Sequence, residues 1–447
     1  MINRREFLGI TAGAGATLSL SPQLLRALQL QQGGKLIQRA IPSSGEMLPV
    51  ISFAPRPTAP PGPGDIKPMP TDVPAAKEVL KTFLENGGKV VDVLHGGPVG
   101  EQAARTAAAE LGIQDKFFWT TPLSVTVPVL PGYAGAPPTP KPAAVRAAIE
   151  EKLAAFKAPR IDLVMVSSGA DMSTHLAVLQ EMKKEGKVRY IGVHHLAFPP
   201  NAPMPTFGPL ESIMRNEPID FIGTDYSLSD RRLEEKLLPL AQERKIGVMA
   251  YFPFDRRRIF ERASSTRLPE WATEFDAKTW AQFFLKYVIS HPAVTVARTG
   301  TTNAAHMLDN IGGGIGRLPD EAMRKRMAAL VDTFPPTPVP TPQGLQSRNQ
   351  PQGQPAPPVA VSAAVLDRYS GEYKYEASGQ TVTFRRDGEK LLMKISGSVP
   401  EGPLAARSER RFQGPFGLII EFQLDGQGKV TGAVVEQGPF RIPLERR

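Results

Sequence analysis

Cysteine is absent from this 447-residue chain. That absence excludes disulfides, thiolate nucleophiles, cysteine-ligated zinc and iron–sulfur clusters, so stability rests on the core alone. Also missing is an apolar run long enough to span a bilayer; the mildly apolar stretch near the N-terminus is too short and too polar. The formal net charge of +9 gathers into no basic stripe and no RNA-binding motif. Solvated Lys and Arg faces account for it, and no nucleic-acid partner is expected. With 41% apolar and 22% charged residues the balance is that of a globular protein, which excludes a disordered chain.

What is present begins with "NRREFLG", Asn3 to Gly9, followed by a Gly/Ala-rich run to about Leu20. Paired Arg4 and Arg5 ahead of a short h-region fit a twin-arginine signal over residues 1–34, which implies export of a folded chain to the periplasm or cell envelope. No A-x-A cleavage site is evident. Either the mature chain starts before Lys35 or the segment stays as an anchor.

From Lys35 to Phe334, residues 35–334, strand-like apolar runs alternate with helical ones. Eight candidate strands are Leu48–Phe53, Lys89–Val93, Phe117–Thr121, Ile161–Val166, Val188–Val193, Asp220–Gly223, Gly247–Tyr251 and Ala293–Ala297. Candidate helices include Ala75–Asn86, Gly100–Leu111, Ala143–Phe156, Thr174–Glu185, Arg232–Glu243 and Trp280–Ser290. Short, nearly continuous apolar strands between helices predict a parallel sheet. Eight such units in about 300 residues predict a closed (β/α)8 barrel with its reactive groups at the C-terminal strand ends. An open doubly wound sheet would need G-x-G-x-x-G after the first strand, where "FAPRPTAPPGPG" stands instead. Residues 335–361 form a Pro/Gln-rich linker. Residues 362–447 alternate apolar and polar positions around Asp387-Gly388 and Asp425-Gly426 turns, which predicts a small antiparallel β domain. That domain is read as a structural add-on or a means of binding an envelope partner.

The strings "QRAIPSSGEMLPVISFA", "EGKVRYIGV", "YSLSDRRLEEKLLPLAQERKIGVMAYFPF", "WAQFFLKYVISHPAVT" and "GTTNAAHMLDN" resemble the aldo/keto reductases, in particular their exported twin-arginine members. The resemblance covers Lys35–Phe334 in order. It implies hydride transfer from NADP(H) to a carbonyl, with a Tyr as proton donor, a Lys–Asp pair lowering its pKa and a His orienting the carbonyl. A phenol of pKa near 10 needs such a cation to work at neutral pH. The family's Asp falls on Asp92, but its Tyr, Lys and His positions fall on Gly97, Pro122 and Ser167. The cofactor's amide partners fall on His195 and Gly223. The stacking aromatic is matched by Tyr251, the phosphate-binding turn by Gly300, Thr301, Thr302 and Asn303, and the family's acidic-Asn ending by Asp309 and Asn310. The resemblance thus implies a reductase barrel with a degenerate catalytic tetrad and half of a nucleotide site. The alternative is an active NADP-dependent carbonyl reductase rebuilt around Asp92 and His95.

Several readings stay open on the sequence. Asp92 is either a carboxylate satisfied by its own loop or a reassigned base, and His95, on the same loop, titrates near neutrality. His95, His194, His195 and Asp225 all fall at strand ends, but their spacing fits no metal-ligand motif, and no metal is expected. The arginines of "FDRRRIF", Phe254 to Phe260, either clamp phosphates or form a solvated basic run. The Pro-rich loop from Pro122 to Pro142 either shapes a pocket or blocks it. His175 and His306 read as packing or surface residues.

Overall fold

A computed structural model describes residues 34–55, 73–94, 97–133, 135, 138–169, 171–195, 207–335, 359–396, 399–437 and 440–447. Residues 1–33 of the segment expected to be an export signal, most of the linker and His95 lie outside the described residues.

Strands β1 (Gln38–Ala40) and β2 (Met47–Pro49) pair as an antiparallel hairpin. The eight strands that follow are β3 (Ile51–Ala54), β4 (Val90–Asp92), β5 (Phe118–Leu123), β6 (Ile161–Ser167), β7 (Val188–His195), β8 (Phe221–Asp225), β9 (Gly247–Tyr251) and β10 (Val294–Gly300). They close into a parallel barrel in which β10 pairs with both β9 and β3. The helices are α1 (Val73–Glu85), α2 (Gly97–Glu110), α3 (Pro142–Phe156), α4 (Met172–Lys184), α5 (Gly208–Asn216), α6 (Leu237–Glu243), α7 (Arg258–Ala263), α8 (Trp280–Ser290), α9 (Ala304–Gly313) and α10 (Glu321–Asp332). The predicted strand Leu48–Phe53 is divided, because Met47–Pro49 turns back onto β1 and only Ile51–Ala54 enters the barrel. The predicted helix Arg232–Glu243 likewise breaks at Lys236, whose φ of −142° is non-helical.

Inside the barrel Val90, Phe118, Leu163, Met165, Tyr190, Phe221, Met249, Tyr251 and Val296 share one buried cluster, which Ile41 and Leu48 of the hairpin join. Each aliphatic side chain removed from water in this way contributes about 1.5–3 kcal/mol. On the outer face, Glu234 Oε1 accepts from Tyr226 (2.6 Å), Tyr287 (2.8 Å) and Arg324 (2.7 Å). One carboxylate thereby ties α8 and α10 to the chain leaving β8.

The second compact unit consists of the described residues after Thr341 together with Val125–Val145. Helix α11 (Ala363–Tyr369) precedes eight antiparallel strands: β11 (Gly371–Lys374), β12 (Thr381–Asp387), β13 (Lys390–Ile395), β14 (Val399–Ala406), β15 (Arg411–Gln413), β16 (Ile419–Leu424), β17 (Val430–Gln437) and β18 (Phe440–Arg446). They form a closed up-and-down barrel, β18 returning to β11. Closure removes the exposed edges that an open sheet of this size would leave. The alternation along β12 and β13 puts Val382, Phe384, Leu391, Met393 and Ile395 inside, around a stack of Tyr369 on Phe422 at 4.0 Å. Leu130, from the connection between β5 and α3, is part of this core. Gln380 holds its backbone from both sides: the Leu130 amide donates to Gln380 Oε1 (2.9 Å), and Gln380 Nε2 donates to the Leu130 carbonyl (3.2 Å).

Candidate active site at the barrel mouth

Side chains alternate along a strand, so the apolar cluster fixes which residues nearer the C-terminal ends also face inward. Asp92 follows Val90, Thr120 follows Phe118, Ser167 follows Met165, His194 follows Tyr190 at four residues, Asp225 follows Phe221 likewise, Tyr251 follows Met249 and Arg298 follows Val296. Phe53 packs outward on Phe83 of α1, which turns Ser52 inward. Each of the eight strands thus gives one polar side chain to a collar above the apolar interior. Barrel enzymes keep their chemistry at this end.

At the centre of one side, Asp92 is completely buried, with Arg298 Nε 2.9 Å from its Oδ2 and the Leu94 amide donating to its Oδ1 at 2.9 Å. The Tyr251 hydroxyl faces the same carboxylate, and the Arg298 guanidinium lies 5.5 Å from the Tyr251 ring centre. Burial pushes the Asp92 carboxyl above its ordinary range, opposed by Arg298 and the Leu94 amide. Burial, reinforced by Asp92, raises the Tyr251 phenol well above 10. On the other side Asp225 pairs with Arg256 (2.6 Å), whose guanidinium sits 4.0 Å from the Phe252 ring centre. Burial raises the Asp225 carboxyl and lowers His194 to about 4, so this histidine is neutral at pH 7. Ser52 Oγ, Thr120 Oγ1, His194 Nδ1 and Asp225 Oδ1 are buried with no hydrogen-bond partner among the described residues. Buried polar atoms left this way are the mark of a site that takes water or a polar ligand.

The residues expected from the sequence are distributed unevenly around this collar. Asp92 and Tyr251 are in it and face each other, whereas Gly97 opens α2, Pro122 lies in β5 and Ser167 ends β6. Gly300 ends β10, and Thr301, Thr302 and Asn303 lead into α9, with Asn303 capping the helix by accepting from the Ala305 amide (2.8 Å). Thr302 and Asn303 are exposed. Asp309 is engaged by Thr279 and Gln282, both at 2.9 Å, and Asn310 is buried. Of the arginines in "FDRRRIF", Arg256 turns to Asp225 and Arg258 to Asp255, while Arg257 is exposed. Asp255, Arg256 and Arg257 all have positive φ, a strained turn for non-glycine residues. Among the described residues no three His, Asp or Glu side chains form a group that could hold a metal. His175 is buried with Nδ1 against the Asp171 carbonyl at 2.7 Å, and His306 is exposed. Sequence reasoning missed Arg298; the available signal was a charge inside the apolar strand "VTVARTG".

The two regions expected to hold a nicotinamide dinucleotide differ. The turn before α9 presents the backbone and hydroxyls that suit phosphates. At the other end Tyr251 has no exposed surface, and a Cβ on Gly223 would come within 2.4 Å of its ring, so the ring already fills the space of a side chain on β8.

A parallel eight-stranded barrel with a polar collar at its C-terminal end has the architecture of the (β/α)8 barrels. The profile of the aldo/keto reductase family matches residues 64–330, and the chain belongs to that family. It is 32% identical over 81 residues to the NADH-specific methylglyoxal reductase of Escherichia coli (strain K12), covering 18% of this chain and 22% of that protein. To a probable aldo-keto reductase of Glycine max it is 24% identical over 218 residues, covering 42% of this chain and 60% of that one. The chain therefore spans less than two thirds of either curated relative. The glycerol dehydrogenase of Gluconobacter oxydans superposes with a TM-score of 0.51 at 18% identity, covering 68% of this chain and 97% of that one. An aldo-keto reductase from Klebsiella pneumoniae solved in complex with NADPH gives 0.49 at 18% identity, covering 68% and 98%.

Proposed function

We propose that this protein is an exported aldo/keto-reductase barrel that has given up the family's carbonyl reduction and keeps a site for a nicotinamide nucleotide or a related small ligand. One observation carries the loss: Asp92, the carboxylate that should support a lysine and a tyrosine, is instead neutralised by Arg298 and faced by the buried Tyr251, with Pro122 and Ser167 at the Lys and His positions. Proton transfer by one such group contributes about 10²–10⁴-fold. The exposed turn before α9 and the unpartnered polar atoms of the collar support retained binding. The test is titration of the purified full chain with NADPH, read by its fluorescence, followed by a panel of aldehydes. Saturable binding without turnover is expected. NADPH-dependent reduction that disappears in Asp92→Asn would overturn the reading.

The rebuilt reductase gains support from one contact. Asp92 keeps the family's carboxylate position, while Arg298 of β10 and Tyr251 of β9 bring a cation and a phenol to it from strands other than those of the expected Lys and Tyr. It predicts reduction that falls in Tyr251→Phe and in His95→Ala. Export through the twin-arginine signal is tested by replacing Arg4 and Arg5 with Lys, which should hold the protein in the cytoplasm.

A further inference from the structure

Two residues at the rim of the barrel are used by neither reading. Ser168 is the first residue after β6 and His195 is the last of β7. Ser168 Oγ lies 2.7 Å from His195 Nδ1, within the range for a nucleophile and its base. The pair is held from two directions. The Ser168 amide donates to the His194 carbonyl at 2.9 Å, prolonging the β6–β7 ladder, and Phe207 presents its ring at 61° to the imidazole, 6.3 Å between centres.

For Nδ1 to accept the serine proton the imidazole must be neutral, with its own proton on Nε2. Burial lowers the His195 pKa, which favours that form at neutral pH. Nε2 is buried without a partner among the described residues, where a bound molecule would supply the acceptor. Among the described residues, a Cβ on Gly169 would meet nothing closer than Ser167 Oγ at 3.9 Å. A serine hydroxyl on a neutral imidazole at the C-terminal rim is the arrangement of acyl transfer, recognised by geometry and roles and not by sequence position.

We propose that Ser168 is a nucleophile and His195 its general base, acting on a carboxylic ester. Ser168 Oγ bonds to the ester carbonyl carbon while its proton passes to His195 Nδ1. The bond from that carbon to the alcohol oxygen breaks, and the alcohol leaves with the proton. Water then attacks the acyl-serine, giving one proton through His195 back to Ser168 Oγ and releasing the carboxylic acid. No electrons are exchanged with a cofactor, so the reaction is independent of nucleotide binding and of Asp92.

The full-length protein is treated with p-nitrophenyl acetate and, separately, with a fluorophosphonate, both without nucleotide. Expected are release of p-nitrophenolate, an adduct on Ser168 located by peptide mass spectrometry, and a rate that rises with pH through a midpoint below 6.5. Ser168→Ala should remove the adduct and lower hydrolysis at least about tenfold. His195→Gln, which can still accept the serine hydrogen bond but is no base, should lower it similarly. Ser173→Ala, a hydroxyl bonded to the Asp171 carboxylate at the start of α4, should change neither. No adduct, an adduct on another residue, or equal hydrolysis by Ser168→Ala and the parent would overturn the proposal. The adduct is mapped on the unaltered protein, so a variant that fails to fold does not remove the test.

Discussion

Arg298 and Asp92 are both almost without solvent, so each depends on the other more than on the rest of the fold. Arg298→Leu leaves a buried carboxylate uncompensated, and a loss of about 3–5 kcal/mol is expected in urea unfolding. Replacing both residues, Asp92→Leu with Arg298→Met, should cost less than the sum of the single changes, because neither charge is then stranded. All three tryptophans, Trp119, Trp271 and Trp280, lie in the parallel barrel, so their fluorescence follows this unit alone. The same probe tests His194. Its pKa is near 4 in the fold against 6.5 in the unfolded chain, so the unfolded chain takes up the proton first on acidification. Stability is full above pH 6.5 and falls between 6.5 and 4, by up to about 3 kcal/mol. Burial also lowers His291 to about 4 and His195 in the same direction, so His194→Asn should make that fall shallower without abolishing it; an unchanged acid limb would show that the His194 imidazole is not responsible.

The strands were legible because they are short apolar runs, and for the same reason their functional ends were not. The apolar runs stop at Val193, Gly223 and Ala297, whereas β7, β8 and β10 continue to His195, Asp225 and Gly300. The residues in those overruns, His194, His195, Asp225 and Arg298, are the polar ones that end an apolar pattern and also line the mouth. A search for hydrophobic periodicity therefore stops short of the site it is meant to find. Asp92 was identifiable because it sits in "KVVDVL", flanked by apolar residues on both sides. The pairing of Ser168 with His195 was not, since 27 residues separate them. Between β8 and β9, Gly223 gives up its side-chain space to Tyr251. Gly223→Ala should overpack the collar and cost about 1–3 kcal/mol, read by tryptophan fluorescence in urea.

On the scale of the whole molecule, the two units do not follow chain order: Val125–Val145, most of the β5–α3 connection with the first turn of α3, belongs to the second unit. The pattern of prolines marked this stretch as a long loop, but nothing local shows that Leu130 has a partner 250 residues away. Leu130→Ala removes a buried side chain from the antiparallel barrel and should cost about 2–5 kcal/mol there. Gln380→Ala strands two buried backbone groups and should cost about 1–3 kcal/mol. A chain ending at Pro335 lacks both Gln380 and the core that holds Leu130. Limited proteolysis of that chain should cut within 125–133, a stretch expected to resist the protease in the full-length protein.

The clasp of Gln380 on Leu130 also bears on descent. A loop whose leucine belongs in someone else's core has no use without that core, and the antiparallel barrel without the loop has a gap where the leucine was. Residues 125–145 and the antiparallel barrel are thus one structural unit: relatives that lack the tail are expected to have a short β5–α3 connection, and grafting the tail onto another barrel is expected to require carrying 125–145 with it.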